Sequence, residues 1–137
     1  MNLKDRIKRH EGKRNKPYRD SLGILTVGYG RNLEAVSFTD REIDVMFDTD
    51  FARASIDAEY FDAYQKMNEA RRGVLIEMCF QMGRNRVAKF KRFLEAAERQ
   101  DWDSAANEML DSEWSRQTPQ RALELSEIFR SGIVDSA

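Results

Sequence analysis

The sequence predicts an α+β protein, a mainly helical chain in two lobes with a small antiparallel sheet in the amino-terminal one. Three observations carry this reading. Between Pro17 and Leu33 the residues run in short alternating segments, whereas from Thr39 onward apolar residues recur at three- and four-residue steps. The 137 residues contain two prolines and no linker rich in Pro, Gly or Ser, so any subdivision is into lobes of one compact domain.

Each element has its own signal. Leu3, Ile7 and Glu11 fall at four-residue steps, which predicts a short amphipathic helix whose apolar stripe ends in a carboxylate, stopped by Gly12. "YRD", a turn at "SLG" and "ILTVGYG" predict a β-hairpin, with a third short strand at residues 31–33. Thr39 and Glu42 form a capping box that opens a long helix through Ile43, Phe47 and Phe51 to about Ala58.

Asn68 caps a helix carrying Leu75, Met78, Cys79 and Met82, ended by Gly83, and Phe90, Phe93, Leu94 and Ala97 mark another. Asp101 opens a helix from Trp102 to Leu110. Thr118 and Pro119 supply a cap and a first-turn proline for the last helix, closed by Gly132. Residues 1–59 form the expected amino-terminal lobe and residues 60–137 the helical carboxy-terminal lobe.

Composition narrows the class. Hydrophobic residues at 41% and charged residues at 34% describe an ordered globular chain, and no stretch is long enough to span a membrane. The single cysteine, Cys79, excludes a disulfide framework, and the charged start "MNLKDRIKRHEG" lacks the apolar run of a secretory signal, so synthesis in a cytoplasm is expected. The net charge is −1, but the first nineteen residues hold eight basic side chains against two acidic ones. A basic end of this kind can steer the chain toward an anionic surface, or simply be a solvated helix face.

Two carboxylates, Glu11 and Asp20, stand on either side of a basic stretch. Glu11 ends an apolar stripe at a helix C-terminus, a setting that suits a proton donor, and Asp20 lies beside a polar turn, a setting that suits a base. Thr26, on the returning strand, is close enough to share a water with Asp20. The same residues also fit plain ion pairing, a turn aspartate and β-propensity, and taken alone those ordinary roles have the better claim. His10 and Cys79 do not make a nucleophile and base, because Cys79 sits in the apolar run "LIEMCFQM". One His and one Cys hold no metal, and "GYG" is too short for a phosphate loop. In "EWSRQTPQRA", Gln117, Thr118 and Arg121 offer a polar helix start suited to sugar hydroxyls.

Read in order, "RHEG", "YRDSLGILTVGYG", "TDREIDVMFDTD", "EARRGVLIEMCFQMG", "VAKF", "WDSAA" and "EWSRQTPQRA" resemble the T-even bacteriophage lysozymes, the endolysins of glycoside hydrolase family 24, over essentially the whole chain. The resemblance implies a lysozyme-like two-lobed fold with its cleft between the lobes, and no cofactor or metal. It implies hydrolysis of the β-1,4 bond between N-acetylmuramic acid and N-acetylglucosamine in bacterial peptidoglycan, with inversion. Glu11 would be the acid, Asp20 the base and Thr26 the residue that positions water. Gly30, Asn32, Phe80 and Gln81 would bind substrate, and Arg121 would support Glu11. A monomer is expected, with neither nucleic acid nor stable membrane insertion, released to the wall through a pore made by another protein.

Departures from the family pattern also carry expectations. The connection Glu34–Phe38 is short, Arg31 stands where the family often has histidine, and Asn32 where it has leucine. Arg31 is expected to pair with Asp50 on the long helix. Phe93 and Glu108 replace small polar groups, so no sugar contact is carried over to them. The rivals are a lytic transglycosylase, which needs only one glutamate, and a silent wall-binding protein of the same fold; Asp20 and Thr26 argue against the first, and the retained Glu11, Asp20 and Thr26 against the second. A nucleic-acid binder is disfavoured because Glu11 interrupts the basic patch.

Overall fold

The computed structural model describes residues 2–135. The chain forms α1 (Leu3–Glu11), β1 (Arg14–Arg19), β2 (Leu25–Gly28), β3 (Arg31–Asn32), α2 (Asp40–Glu59), a 3₁₀ turn (Asp62–Lys66), α3 (Glu69–Met82), α4 (Arg84–Val87), α5 (Lys91–Glu98), α6 (Trp102–Leu110), α7 (Glu113–Gln117) and α8 (Pro119–Ser131). This is the α+β, lysozyme-like arrangement that the sequence predicts. It divides into two compact units, Met1–Asp44 and Val45–Ala137. The boundary lies inside α2, earlier than the expected 59/60, because Ala54 and Ala58 in the second half of that helix are buried with the carboxy-terminal core.

In the amino-terminal unit, Asn2 caps α1 by accepting from the Asp5 N–H at 2.8 Å, and Gly12 ends the helix at φ +73°. The three strands lie in the order β1-β2-β3, all antiparallel. Arg14 opposes Gly28 and Tyr18 opposes Thr26, so the register shifts between them and β1 bulges around Pro17. A bulge tolerates a residue without an N–H, which is why β1 continues back past the proline to Arg14. Among the described residues of this unit only Thr26 is buried. In particular α1 buries none of its residues, so Glu11 lacks the burial that the Leu3–Ile7–Glu11 stripe leads one to expect.

The predicted capping box is formed in full. The Thr39 N–H donates to Glu42 Oε1 at 2.9 Å and the Glu42 N–H to Thr39 Oγ1 at 3.1 Å. Arg31 corrects an expectation: its guanidinium is gripped in bidentate fashion by Glu42, not Asp50, and Asp50 is engaged by Arg53. Arg31 also donates to the Ser37 carbonyl at 2.9 Å and lies 4.7 Å over the Phe38 ring. The Thr39 N–H, and then the Arg31 guanidinium, hold the Glu42 carboxyl below its ordinary value.

The carboxy-terminal unit is organised by an apolar core. Leu75, Met78, Val87, Phe93, Met109 and Phe129 are almost completely buried, with Phe93 and Phe129 rings 5.0 Å apart and Trp102 5.6 Å from Phe129. Asn68 and Asp101 cap α3 and α6 as predicted, accepting from Arg71 at 3.0 Å and Ser104 at 3.1 Å. Thr118 does not cap α8: its hydroxyl donates to the Trp114 carbonyl at 3.0 Å, and Pro119 alone marks the start. The sequence does not anticipate α4, α7 or the 3₁₀ turn. Four or five residues cover too few turns to show a helical period. No described helix is long and apolar enough to cross a membrane.

Candidate active site

The candidate residues fall into one set per unit. In the amino-terminal set, Asp20 lies just beyond β1, where its N–H donates to the Ile24 carbonyl at 2.9 Å and extends the hairpin ladder past the strand. Asp20 Oδ1 accepts from the N–H groups of Leu22 at 2.8 Å and Ile24 at 2.9 Å. Two backbone donors therefore fix the carboxylate's orientation and occupy one oxygen. Oδ2 has no protein partner among the described residues.

Thr26 follows two residues after Ile24, on the same face of the pleat as Ile24 and its partner Asp20. It is 3% exposed, and its hydroxyl donates to the Ile24 carbonyl at 2.8 Å. The hydroxyl proton is committed to that carbonyl, so Oγ1 is left as an acceptor. The hairpin thus brings two acceptors, Asp20 Oδ2 and Thr26 Oγ1, to one face.

Glu11 is exposed at the end of α1 and lies against Gly30 in the turn between β2 and β3. A Cβ on Gly30 would stand 2.5 Å from Glu11 Oε2, and Gly30 has φ +72°. Only glycine meets both conditions. Asn32 pairs with Thr26 across β2 and β3, and its Oδ1 accepts from the N–H groups of Glu34 at 2.9 Å and Ala35 at 3.0 Å. Its side-chain acceptor thus closes the turn that makes the connection to α2 so short. Its amide nitrogen remains the group with which it can reach a ligand.

In the carboxy-terminal set, Phe80 is 39% exposed and its ring lies 5.5 Å from that of Phe47. Gln81 Oε1 accepts from Trp114 Nε1 at 2.9 Å, which leaves the amide N–H₂ to donate elsewhere. Arg121 Nε donates to Glu77 Oε2 at 2.8 Å. Glu77 and Gln81 are one helical turn apart on α3, so α3 positions both groups on one face. The pairings of Trp114 with Gln81 and of Glu77 with Arg121 span 33 and 44 residues, so neither follows from local spacing. Burial pushes the Cys79 thiol up to about 12, with Asp57 adding to the effect, so it is no nucleophile near neutrality.

The phage lysozyme family model matches residues 8–127, a span that includes all of the candidate residues. The chain belongs to the phage lysozyme family. As a phage lysozyme family member it is a lysozyme-type peptidoglycan hydrolase, a glycosidase. It is similar to probable T4-type lysozyme 1 of Dictyostelium discoideum, 28% identical over 164 aligned positions that take in 98% of this chain and 96% of the relative. Probable T4-type lysozyme 2 of the same organism is 29% identical, over 96% of this chain and 95% of the relative. The pre-baseplate central spike protein Gp5 of Enterobacteria phage T4 is 29% identical over 99% of this chain but only 29% of its own length. Alignments of 162 to 165 positions on a 137-residue chain mean that these relatives carry stretches with no counterpart here.

Proposed function

We propose that this phage lysozyme family chain hydrolyses the β-1,4 bond between N-acetylmuramic acid and N-acetylglucosamine by a single inverting displacement, acting as a monomer. The observation that supports this most directly is the hairpin pair, Asp20 Oδ2 and Thr26 Oγ1, both acceptors on one face. A water between them donates one proton to each, which turns a lone pair outward toward an anomeric carbon. As that oxygen attacks, its proton passes to Asp20. The Glu11 carboxyl gives its proton to the glycosidic oxygen as the bond from the anomeric carbon breaks. Proton exchange with solvent restores both groups. An inverting pair needs roughly 6.5 to 9.5 Å between carboxyl groups to seat the water.

Gly30 lets Glu11 take its place, and Asn32, Phe80 and Gln81 contact the glycan, Phe80 as an exposed apolar face and the two amides as donors. Arg121, held by Glu77, supports the acid. A basic amino end assists approach to an anionic envelope, and the protein reaches the wall from the host cytoplasm through a pore made by another protein, for cell lysis.

The test is mass spectrometry of muropeptides released from purified peptidoglycan by the native protein and by Glu11→Gln. Hydrated muramic acid ends from the native protein, with kcat lowered by about 10² to 10⁴ in the variant, are expected. Anhydro ends would make the protein a transglycosylase, and wall binding without release would make it a silent relative.

A further inference from the structure

We infer that Lys8 and Tyr29 form a clasp that positions Glu11 for proton transfer. The inference rests on the reading of Glu11 as the acid and names what holds that acid in place. Packing gives it little help, because α1 buries none of its residues and leaves Leu3 and Ile7 exposed. Among the described residues no hydrogen bond or ion pair joins α1 to the strands; the bonds at its two ends are those of Asn2 with Asp5 and Arg6 and of Gly12 with Lys8. Some other contact must therefore set where the end of this helix lies on the sheet.

The turn between β2 and β3 supplies it. Glu11 lies against Gly30, and the Lys8 ammonium stands 5.3 Å from the centroid of the Tyr29 ring, within the roughly 6 Å reach of a cation–π contact. Lys8 and Glu11 are three residues apart and so are neighbours on one side of α1, just as Tyr29 and Gly30 are neighbours in the turn. Two adjacent helix positions thus meet two adjacent turn positions. Burial does not account for the ring, which is 43% exposed. The helix dipole favours a cation in the last turn, but Arg9 and His10 stand in that turn too, and among the described basic side chains of α1 only Lys8 lies over a ring.

The second contact matters because one contact leaves a helix free to roll about its axis. Side chains reach about 5 to 6 Å from the axis of an α-helix, so a roll of about 10° carries a carboxylate about 1 Å. A displacement of that size in a catalytic group can cost about 10²-fold in rate. The Gly30 contact limits how close Glu11 can come to the turn, and the Lys8–Tyr29 contact fixes the roll. Lys8 and Tyr29 are accordingly positioning residues, acting on the reaction through Glu11.

A double-mutant cycle in kcat on soluble peptidoglycan chains tests this. Lys8→Met and Tyr29→Leu are each expected to lower kcat about tenfold with KM unchanged, because the lost interaction orients the acid and does not bind the glycan. The double variant should fall no further than either single one, since both remove the same contact. Lys8→Arg and Tyr29→Phe keep a cation and a ring and should restore kcat to the native value. Both positions are exposed, and thermal unfolding of each variant verifies the fold. Native kcat in both single variants overturns the inference, as does a double variant about a hundredfold down, which would make the two effects independent. A fall with Lys8→Met alone also overturns it and assigns the effect to the lysine's charge. A rise in KM at constant kcat would make the pair a glycan contact instead. Glu11→Gln is measured alongside: if it keeps the native kcat, the reading of Glu11 as the acid fails and this inference with it, whereas a loss there with native rates in the clasp variants overturns the clasp alone.

Discussion

The two units of this protein hold their candidate site residues by different physics. In the amino-terminal unit, where only Thr26 is buried among the described residues, Glu11, Asp20 and Thr26 are set by turn hydrogen bonds, a positive-φ glycine and strand register. The carboxy-terminal unit sets Gln81 and Arg121 by packing α3, α7 and α8 around an apolar core and adding one side-chain bond to each. Directional bonds hold a side chain in place without the help of a packed core. A packed core provides a rigid wall against which a glycan can bind.

This contrast predicts that stability and activity respond separately in the two units. The largest stability effect should come from the core. Phe129 is fully buried against Phe93 and Trp102, and Phe129→Ala should cost about 3 to 5 kcal/mol, read as a lower midpoint in denaturant. A loss below about 1 kcal/mol would mean that the core does not carry this unit.

Gly30→Ala should show the reverse balance. An alanine at φ +72° costs about 1 to 2 kcal/mol, but its Cβ also displaces the Glu11 carboxylate, and a shift of about 1 Å in a catalytic group can cost 10²-fold in rate. Measured together, the fall in kcat should exceed the fall in stability. Equal effects would show that Glu11 does not depend on its contact with Gly30.

Asn68→Ala sharpens the comparison within the carboxy-terminal unit. Asn68 caps α3 and its Nδ2 donates to the Gly132 carbonyl at 2.9 Å, so about 1 to 2 kcal/mol should be lost while kcat on the wall is retained. Glu42 should give the smallest effect, visible only in acid. Because its folded carboxyl titrates below the ordinary value of 4.5, its stabilisation is complete above that pH and is lost as pH falls through the lower folded value. Glu42→Gln should therefore flatten the stability profile below pH 4.5, and an unchanged acid limb would count against the Thr39–Glu42–Arg31 network.

Legibility followed the range of the interactions. The capping box at Thr39 and Glu42, the caps Asn68 and Asp101 and the terminators Gly12, Gly83 and Gly132 are local devices spanning a few residues, and all were readable. Thr118 departs from the expected cap because its hydroxyl has a choice between the N–H groups of its own helix and the carbonyl of Trp114, and the preceding short α7 decides it. Arg31 was matched to the wrong carboxylate for a related reason. Asp50 and Glu42 both lie on α2, and only the short path through Ser37 and Phe38 brings Glu42 within reach.

The sequence by itself determined the longer helices and the hairpin that carries Asp20 and Thr26, because these depend on residues close together in the chain. The folded structure decided which atoms remain available, through local bonds at Thr26 and Asn32 and through tertiary contacts alone at Gln81 and Arg121. Thr26 spends its proton on Ile24, Asn32 spends its oxygen on a turn, Gln81 spends its oxygen on Trp114, and Arg121 is committed to Glu77. A side chain's chemistry is inherent in its residue type, but its free donors and acceptors are whatever the folded neighbours have not already taken.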